Sequence, residues 1–271
     1  MNVLVVYAHP EPRSLNAALK DVATDVLTAA GHEVRVSDLY AVRWKAAIDR
    51  DDYALDANHR LQPVWDSLAA TQAGALTDDV TVEQEKLRWS DAVILQFPLW
   101  WYQMPAIMKG WIDRVFTMGF AYGTGDTSGD KYGGERYGNG PMRGKRALVS
   151  VTIAGSADHY SDRGICGPIE DLLFPITHGM LHYAGFDVLP PFVLYEAEDV
   201  TDSSFLDVEE SFRERLAALF TGQPIAYRFQ NDGDYELPSL RLKEGLESSG
   251  ATGFALHTRT QSPGGASPPP R

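Results

Sequence analysis

The chain has 271 residues, of which 44% are hydrophobic, so it can form one large domain or two small ones around a sizeable core. Its formal net charge of −13 argues against nucleic acid or an anionic membrane as a main partner. No apolar run reaches the roughly 20 residues that a membrane-spanning helix needs, and the first residues indicate a strand rather than a signal peptide. Cys166 is the only cysteine, which excludes an internal disulfide. Together these features predict a cytoplasmic protein.

Strand and helix patterns alternate along the first 220 residues, and this alternation predicts a parallel sheet with right-handed crossovers. The predicted strands cover residues 3–8, 32–39, 92–98, 147–153 and 186–194. The predicted helices cover residues 14–30, 64–72, 79–89, 104–116, 167–183 with a bend at Pro175, and 205–220. Residues 123–140 are rich in glycine and charge and predict a mobile surface loop. Residues 221–260 predict an irregular appendage, and the Ser/Gly/Pro-rich residues 261–271 predict a disordered tail.

The third predicted strand ends in an aromatic loop. Phe97 precedes a proline and is therefore extended, so the strand continues to Pro98 and then stops. Trp100, Trp101 and Tyr102 follow at the carboxyl end of this strand. Ligands of open α/β sheets bind at that edge, and flat aromatic side chains suit a flat ligand ring. The loop is therefore a candidate binding site.

A second candidate site lies between the first strand and the first helix. A helix N-terminus presents free N–H groups that attract anions, Ser14 is a good N-cap, and His9 and Arg13 can add donors or charge. The loop lacks the Gly-x-Gly-x-x-Gly and Walker patterns of nucleotide-binding loops. The residues alone leave two interpretations open. Either the loop binds phosphate, or Ser14 only caps the helix and His9 only packs.

The stretch after the third strand resembles a known family. Phe-Pro-Leu-x-Trp at residues 97–101 and Pro-Ala-Ile-x-Lys-Gly-Trp at residues 105–111 are similar to motifs of the NAD(P)H:quinone oxidoreductase (DT-diaphorase) family of flavoenzymes. The resemblance covers residues 1 to about 220. It implies an α/β, flavodoxin-like, doubly wound parallel sheet of five strands, with FAD bound to residues 1–220 and an irregular C-terminal extension. It also implies a homodimer in which NADH or NADPH reduces the flavin and a quinone then reoxidises it by ping-pong hydride transfer.

The resemblance assigns cofactor contacts to four segments. At the first loop, the residues that would bind the FAD pyrophosphate are His9, Ser14, Leu15 and Asn16. Along the aromatic loop, the flavin would meet Phe97, Pro98, Leu99, Trp100, Trp101 and Tyr102. After the fourth strand, backbone N–H groups and a phenol would face the flavin edge from Thr152, Ile153, Ala154, Gly155 and Tyr160. Gln62 would reach the FAD of the other subunit, and the substrate pocket would be formed by Trp101, Tyr102, Tyr122 and Tyr183.

The catalytic pair that the family implies is only half present. Tyr160 matches the family tyrosine, but Cys166 occupies the position of the family histidine. A thiol is a poor proton donor, so Tyr160 is the predicted catalytic donor and Cys166 a doubtful one. The simpler interpretation of Cys166 is a small buried apolar residue. His159 is a neighbour that could take over the role of the missing histidine.

His178 and His182 stand four residues apart on a predicted helix, which is a spacing that can share a metal ion. No third ligand is near them in sequence, so we predict no metal and expect both to face solvent or a dimer partner. Two other functions stay open at this point. One is an FMN-dependent azo- or nitroreductase on the same fold, and the other is a flavin-bound electron carrier or interaction protein with little turnover.

Overall fold

A computed structural model describes residues 1–56, 58–125 and 134–259 of the chain. Residues 126–133 of the predicted surface loop and the predicted tail at 261–271 lie outside these described residues. Within the described ranges, no helix combines the length and the apolar character that crossing a membrane requires.

The centre of the molecule is a fully parallel sheet with the strand order β2-β1-β3-β4-β5, in which β6 also pairs with β4. The strands are β1 Asn2–Tyr7, β2 Glu33–Asp38, β3 Ala92–Pro98, β4 Arg146–Thr152, β5 Asp187–Val188 and β6 Phe192–Leu194. Every residue of β3 is buried, as expected for a strand covered by helices on both faces. The predicted doubly wound flavodoxin-like sheet is thereby confirmed.

The last position of the sheet differs from the prediction of one strand over residues 186–194. Two short strands, β5 and β6, both pair with β4, and Leu189, Pro190 and Pro191 separate them. Proline has no N–H to donate to a sheet, so the ladder is interrupted at the two prolines and resumes at Phe192. The edge of the sheet next to the end of β4 therefore comes from β6 alone.

Six α-helices cover the two faces of the sheet in the described part of the chain. They are α1 Leu15–Ala29, α2 Pro63–Ala73, α3 Asp78–Trp89, α4 Ala106–Val115, α5 Ile169–Ile176 and α6 Asp202–Ala217. The last helix begins three residues before its predicted start because Thr201 and Ser204 cap each other reciprocally. Leucines and valines of α1 pack with α6 on one face, whereas α3, α4 and α5 pack on the other.

The Lys-Gly-Trp part of the aromatic-loop motif fixes α4 within the fold. A Cβ on Gly110 would lie 2.1 Å from the carbonyl oxygen of Ala46, so only glycine allows this approach. Trp111 is fully buried, and its Nε1–H donates to Glu83 Oε2 at 2.8 Å. These two residues therefore stabilise the helix that follows the aromatic loop and do not line the loop themselves.

The helix after β4 changes from α-helical to π-helical hydrogen bonding shortly after Pro175. Helix α5 contains Pro175 and continues as a π-helical turn, Thr177–His182. The expectation that His178 and His182 face solvent is wrong, because both are buried and their rings pack against Tyr227. The residues that bury them come from the C-terminal segment, which periodicity along the helix alone does not reveal.

Residues 221–259, the C-terminal segment, are irregular apart from one short 3-10 turn, Gly253–His257. Tyr227, Arg228 and Gln230 of this segment are buried, and the Tyr227 hydroxyl pairs with Thr177 Oγ1 at 2.8 Å. The described end of the predicted surface loop also packs onto the same region. The N–H groups of Tyr137 and Gly138 donate to the carbonyls of Tyr183 and His182, so this part of the loop is not free on the surface.

Candidate active site

Three strand ends meet at one crevice. Strands β1 and β3 are neighbours, but the chain leaves β1 toward α1 on one face and leaves β3 toward α4 on the other. This reversal is the topological switch point at which doubly wound sheets bind ligands. The end of β4 lies beside the end of β3, with Pro98 opposite Thr152. The fold therefore brings all three predicted binding loops to one edge.

The N-terminus of α1 is arranged to receive an anion. Ser14 is extended and its Oγ accepts the N–H of Ala17 at 3.2 Å, while the N–H groups of Leu15 and Asn16 belong to a first turn without intrahelical acceptors. His9 Nδ1 lies 3.1 Å from the Glu11 N–H and 3.3 Å from the Glu11 carbonyl oxygen, so the loop backbone engages Nδ1 and Nε2 is the ring nitrogen that can meet a ligand.

Arg13 contributes less charge to this loop than its sequence position suggests. Its side chain is 89% exposed, and its Nε–H donates to Glu11 Oε1 at 3.1 Å. Hydrogen bonds from the backbone and the side chain of Arg13 lower the pKa of the Glu11 carboxyl, so Glu11 stays ionised and offsets the guanidinium charge. Backbone N–H groups and His9 are therefore the main donors at the helix N-terminus.

The side chain of Asn16 is already engaged within the protein. Its Nδ2 donates to Thr152 Oγ1 at 2.9 Å, and its Oδ1 accepts from Gln96 Nε2 at 2.9 Å. All three side chains are buried, so this chain of hydrogen bonds ties α1 to β3 and β4 just below the crevice. Only the backbone N–H of Asn16 is left to meet a ligand. Gln96 was missed by sequence reasoning, although a glutamine inside an apolar strand is a signal for such a partner.

The aromatic loop is a tight two-residue turn. The N–H of Trp100 donates to the carbonyl of Gln103 at 2.9 Å, and the N–H of Gln103 returns to the carbonyl of Trp100 at 3.0 Å. Trp101 and Tyr102 occupy the central positions with φ of 50° and 60°, a conformation that usually requires Asn or Gly. The Trp101 side chain is 94% exposed, and the Trp100 ring lies 6.0 Å from that of His9. The turn therefore holds aromatic rings at the crevice without packing them into the core.

The loop after β4 offers fewer free N–H groups than expected. Ile153 is buried and its N–H donates to the carbonyl of Leu194 at 2.8 Å, so the expectation that this N–H faces a flavin is wrong. The cause is β6, which extends the sheet by one more hydrogen bond past the end of β4. Ala154 is exposed, and Gly155 is half-buried at the start of the turn that leads to Tyr160.

Cys166 contacts two tyrosines at the mouth of the crevice. The Tyr102 hydroxyl donates to Cys166 Sγ at 3.6 Å, and Tyr160 lies near enough to this thiol for it to contribute to the raised pKa of the phenol. The expectation of a buried apolar residue is wrong, because Cys166 is half-buried and its sulfur is hydrogen-bonded. The contact with Cys166 raises the pKa of Tyr102, whereas burial is the main cause that raises the pKa of Tyr160. His159 is exposed, and its carbonyl accepts the N–H of Cys166.

Tyr122 and Tyr183 lie together at a different cavity. Their rings are 6.0 Å apart, edge to face, in a cavity of about 290 Å³ that Val64 and Met180 also line. Neither Trp101 nor Tyr102 lines this cavity, so the four predicted pocket residues form two pairs within one chain. Burial raises the pKa of Tyr122.

Gln62 lies beside that cavity, not beside the crevice. It is exposed at the start of α2, where its N–H donates to Asp66 Oδ2 at 2.7 Å. Pro63 and Val64, the next two residues, line the cavity of Tyr122 and Tyr183. The side chain of Gln62 is therefore presented outward on the same side of the molecule as the second pair of tyrosines.

The sequence is similar to proteins of one family along nearly its whole length. A family profile described as a flavodoxin-like fold matches residues 1–217. The ribosyldihydronicotinamide dehydrogenase-like protein traD of Penicillium crustosum is 51% identical over 262 residues, which are 96% of this chain and 97% of that protein. NAD(P)H dehydrogenase (quinone) 1 of Rattus norvegicus is 36% identical over 258 residues, 93% of this chain and 90% of that protein. A crystal structure of a Klebsiella pneumoniae protein provisionally named a quinone reductase matches with a TM-score of 0.91 and 54% identity, covering 95% of this chain and 99% of that one. The chain therefore belongs to the flavodoxin-like family of NAD(P)H:quinone oxidoreductases.

Proposed function

We propose that this protein is an FAD-dependent NAD(P)H:quinone oxidoreductase that transfers two electrons by a ping-pong mechanism. The observation that carries the proposal is the crevice at the switch point, where an anion-binding helix N-terminus, a turn of exposed aromatics and two phenols converge. The family relationship extends over nearly the whole chain, so the proposal does not depend on a single motif.

The residues at the crevice fit a flavin nucleotide. The free N–H groups of Leu15 and Asn16 and Nε2 of His9 suit the pyrophosphate, because donors at a helix N-terminus favour a negative charge. Exposed Trp100 and Trp101 suit a flat ring, since large aromatics left in water gain from a stacking partner. When bound, FAD supplies the hydride chemistry that amino-acid side chains lack.

The protein side chains orient the reactants and handle protons. One site serves both substrates in turn, so the aromatic turn first meets the nicotinamide ring and then the quinone. The N–H of Ala154 and the phenol of Tyr160 suit the flavin edge on which negative charge develops, because preorganised donors lower the barrier there. A phenol with a pKa of about 10 is neutral at physiological pH, and burial raises the pKa of Tyr160 further.

The proposal includes a homodimer whose second subunit completes each site. Tyr122 and Tyr183 are separated from the aromatic turn within one chain, and Gln62 is presented outward on their side. Val64 and Trp65 are exposed on the same helix, which suits a surface that another subunit covers. A mixture of Trp101→Ala and Tyr183→Ala subunits should then recover part of the quinone turnover, because some heterodimers contain one intact site. Two independent monomers would recover none.

The function is tested by the flavin and by its two half-reactions. The bound nucleotide is extracted and identified by chromatography, then the flavin is reduced anaerobically with NADH, NADPH or dihydronicotinamide riboside in a stopped-flow instrument. The third donor is included because a relative is named for it. We expect FAD, fast bleaching by at least one donor and fast recovery with quinones. FMN would favour the azo- or nitroreductase, and slow bleaching by every donor would favour an electron carrier.

A further inference from the structure

The hydroxyl of a tyrosine from one strand end meets a sulfur atom from the loop after the next strand. Tyr102 follows β3, and its hydroxyl donates to Sγ of Cys166 at 3.6 Å, while Tyr160, which follows β4, lies close enough to Cys166 for the thiol to help raise the pKa of the phenol. Tyr102 is the more accessible of the two, with 48% of its side chain exposed, whereas Tyr160 packs near Tyr195 with ring centroids 6.1 Å apart. The accessible hydroxyl is therefore the one that a molecule entering the crevice meets first.

The backbone that carries Tyr102 is strained. Trp101 and Tyr102 both have positive φ, a conformation that is unfavourable for residues other than glycine. An Asn-Gly pair would form the same turn with less backbone strain. The strain therefore points to a role for the side chains of Trp101 and Tyr102 themselves. For Tyr102, the contact that the turn secures is the hydroxyl on the thiol.

The thiol is fixed as firmly as the turn. The N–H of Cys166 donates to the carbonyl of His159 at 3.0 Å, and the N–H of Gly167 donates to the carbonyl of Gly164 at 3.1 Å. A Cβ on Gly164 would lie 2.1 Å from the carbonyl oxygen of His159, so the loop is as tight as backbone atoms allow. The backbone that carries Cys166 is therefore held in place, with the sulfur next to the Tyr102 hydroxyl.

We propose that the Tyr102 hydroxyl donates the proton that a quinone takes up on reduction, and that Cys166 is the positioning residue that holds this hydroxyl at the crevice. The inference rests on the proposed function. Sulfur is a weak acceptor, so a quinone oxygen can replace it as the partner of the Tyr102 hydroxyl at small cost. The thiol thus orients the donor in the free protein and gives it up when a substrate arrives.

The proton transfer balances with the hydride. A quinone that accepts a hydride becomes a hydroquinone monoanion, which one proton converts to the neutral hydroquinone. The O–H bond of Tyr102 breaks, a new O–H bond forms on the quinone oxygen, and the phenolate takes a proton back from water at its exposed edge. The neighbouring S–H can turn to donate to the phenolate oxygen during that step. A phenol has a pKa of about 10, so the proton stays on Tyr102 near neutral pH until negative charge develops on the substrate, and the contact with Cys166 raises the pKa of Tyr102 further.

The first test separates proton donation from structure by the choice of acceptor. In Tyr102→Phe, reduction of the flavin by the nicotinamide donor should be unchanged, and reoxidation by a quinone should slow by about ten-fold or more. Reoxidation by ferricyanide, a one-electron acceptor that takes no proton, should be unchanged. Tyr195→Phe is the matched control, since it removes a hydroxyl beside Tyr160 that has no contact with the thiol, and it should change none of the three rates. Equal slowing with quinone and ferricyanide, or no slowing with quinone, overturns the proposal.

The second test concerns the thiol and needs no turnover. In protein labelled with [ζ-13C]tyrosine, the resonance missing from Tyr102→Phe identifies Tyr102, and its pH titration is followed by NMR. Cys166→Ala should move that titration to lower pH, because the contact that raises the pKa of Tyr102 is lost, and Cys166→Ser should restore part of the shift. The double variant Tyr102→Phe/Cys166→Ala should reduce quinone no more slowly than Tyr102→Phe. An unmoved titration, or losses that multiply in the double variant, overturns the positioning role of Cys166. Wild-type flavin that no nicotinamide donor reduces would instead refute the proposed function, and the NMR result would stand apart from it.

Discussion

The molecule has two aromatic clusters, and they differ in almost every physical respect. The crevice turn, residues 100–102, holds its side chains in water on a strained backbone, and Trp101 is 94% exposed. The C-terminal stack joins the π-helical region to the C-terminal segment through interlocked rings of Phe174, His178, His182, Tyr227, Phe254 and His257. Within it, the Phe174 ring stacks on His178 at 4.4 Å and on Phe254 at 4.2 Å. Among the described residues, the rings of Trp101 and Tyr102 pack against no other aromatic ring, whereas every ring of the C-terminal stack does.

This difference teaches how to separate stabilising aromatics from those available to a ligand. Burial and ring packing stabilise the C-terminal stack. One feature of the stack is destabilising, because Nε2 of His178 is buried without a hydrogen-bond partner among the described residues. The rings of the crevice turn gain no comparable burial from their own fold, and the backbone that holds them is strained, which suits rings that meet another molecule. The same residue types therefore serve stability in one place and, as we propose, binding in the other.

The largest expected effect in the comparison of the two aromatic clusters is a loss of protein stability when the C-terminal stack is altered. Tyr227→Ala removes a buried ring from the C-terminal stack together with its hydrogen bond to Thr177, so we expect the free energy of unfolding to fall by about 3–5 kcal/mol. Urea unfolding at neutral pH measures it. Quinone turnover per flavin-loaded molecule should be retained. Lost turnover with unchanged stability would instead make the C-terminal segment part of the site and break the comparison.

The second effect is a loss of stability in acid, specific to the C-terminal stack. Burial lowers the pKa of His178 to about 3 and that of His182 to about 4, whereas both titrate near 6.5 in the unfolded chain. Below pH 6.5 the unfolded state therefore binds more protons than the folded state. The free energy of unfolding carries no penalty from the two histidines above that pH, and it decreases as the pH drops toward 4. Each histidine should cost about 1.4 kcal/mol per pH unit in that window.

Urea unfolding at several values between pH 7 and 5 checks this acid sensitivity. His178→Phe keeps a ring against Phe174 and removes one titrating group, so it should remove about half of the contribution of the pair to the slope. Leu206→Ala, a truncation at an exposed position of α6 away from the stack, is the control and should leave the slope unchanged. An unaltered slope in His178→Phe would mean that the stack is open to protons in the folded state.

The third effect falls on activity alone. Trp101→Ala should leave the free energy of unfolding within about 0.5 kcal/mol, because the side chain is almost fully exposed. Quinone turnover should fall by roughly ten-fold, in line with a lost stacking contact of up to about 1.5 kcal/mol. Leu206→Ala, an exposed apolar residue on α6, is the control for surface truncation and should change neither quantity. General destabilisation by Trp101→Ala would show that the crevice turn is a structural cluster after all.

The smallest effect compares two helix caps. Ser14→Ala and Thr201→Ala each remove a side chain that accepts a backbone N–H, from Ala17 in α1 and from Ser204 in α6, and each should cost about 1 kcal/mol of stability. Only the cap at the crevice should weaken flavin binding, measured as the ratio of flavin to protein absorbance after gel filtration. Equal flavin content in both variants would contradict a phosphate site at Ser14. Asn16 is a poorer choice for this test, because its side chain supports the fold through Gln96 and Thr152.

Particular residues show which parts of the fold could be predicted. Ser14 was expected to cap α1 and does so, and the strand that contains Phe97 ends at Pro98 as expected. These are local effects, since a cap and a proline act within one turn of the chain. The prediction of a single fifth strand was wrong, because the structure has two short strands, β5 and β6, at that place. The prolines between them interrupt the pairing with β4, and this pairing joins residues that are distant in the sequence.

The predicted site also has one part that follows from local sequence and another part that depends on contacts between distant segments. The crevice brings His9, Ser14, Trp101 and Tyr160 to one edge of the sheet, because the alternation of strands and helices already determines where carboxyl ends meet. Two features could not be seen in the sequence: the engagement of the Ile153 N–H by Leu194, and the place of Tyr122 in a cavity that the crevice turn does not line. Both depend on which segments pack together in three dimensions.

The sequence by itself therefore determined the class of sheet, the order of its elements and the edge at which we propose that a ligand binds, because hydrophobic period, caps and breakers are properties of neighbouring residues. The tertiary structure alone decided which polar groups remain free. It engaged the side chain of Asn16, buried His178 under the C-terminal segment, and set the Cys166 thiol against Tyr102. The physical reason is that hydrogen-bond partners and burial come from residues distant in the chain, and only the folded molecule brings them within reach.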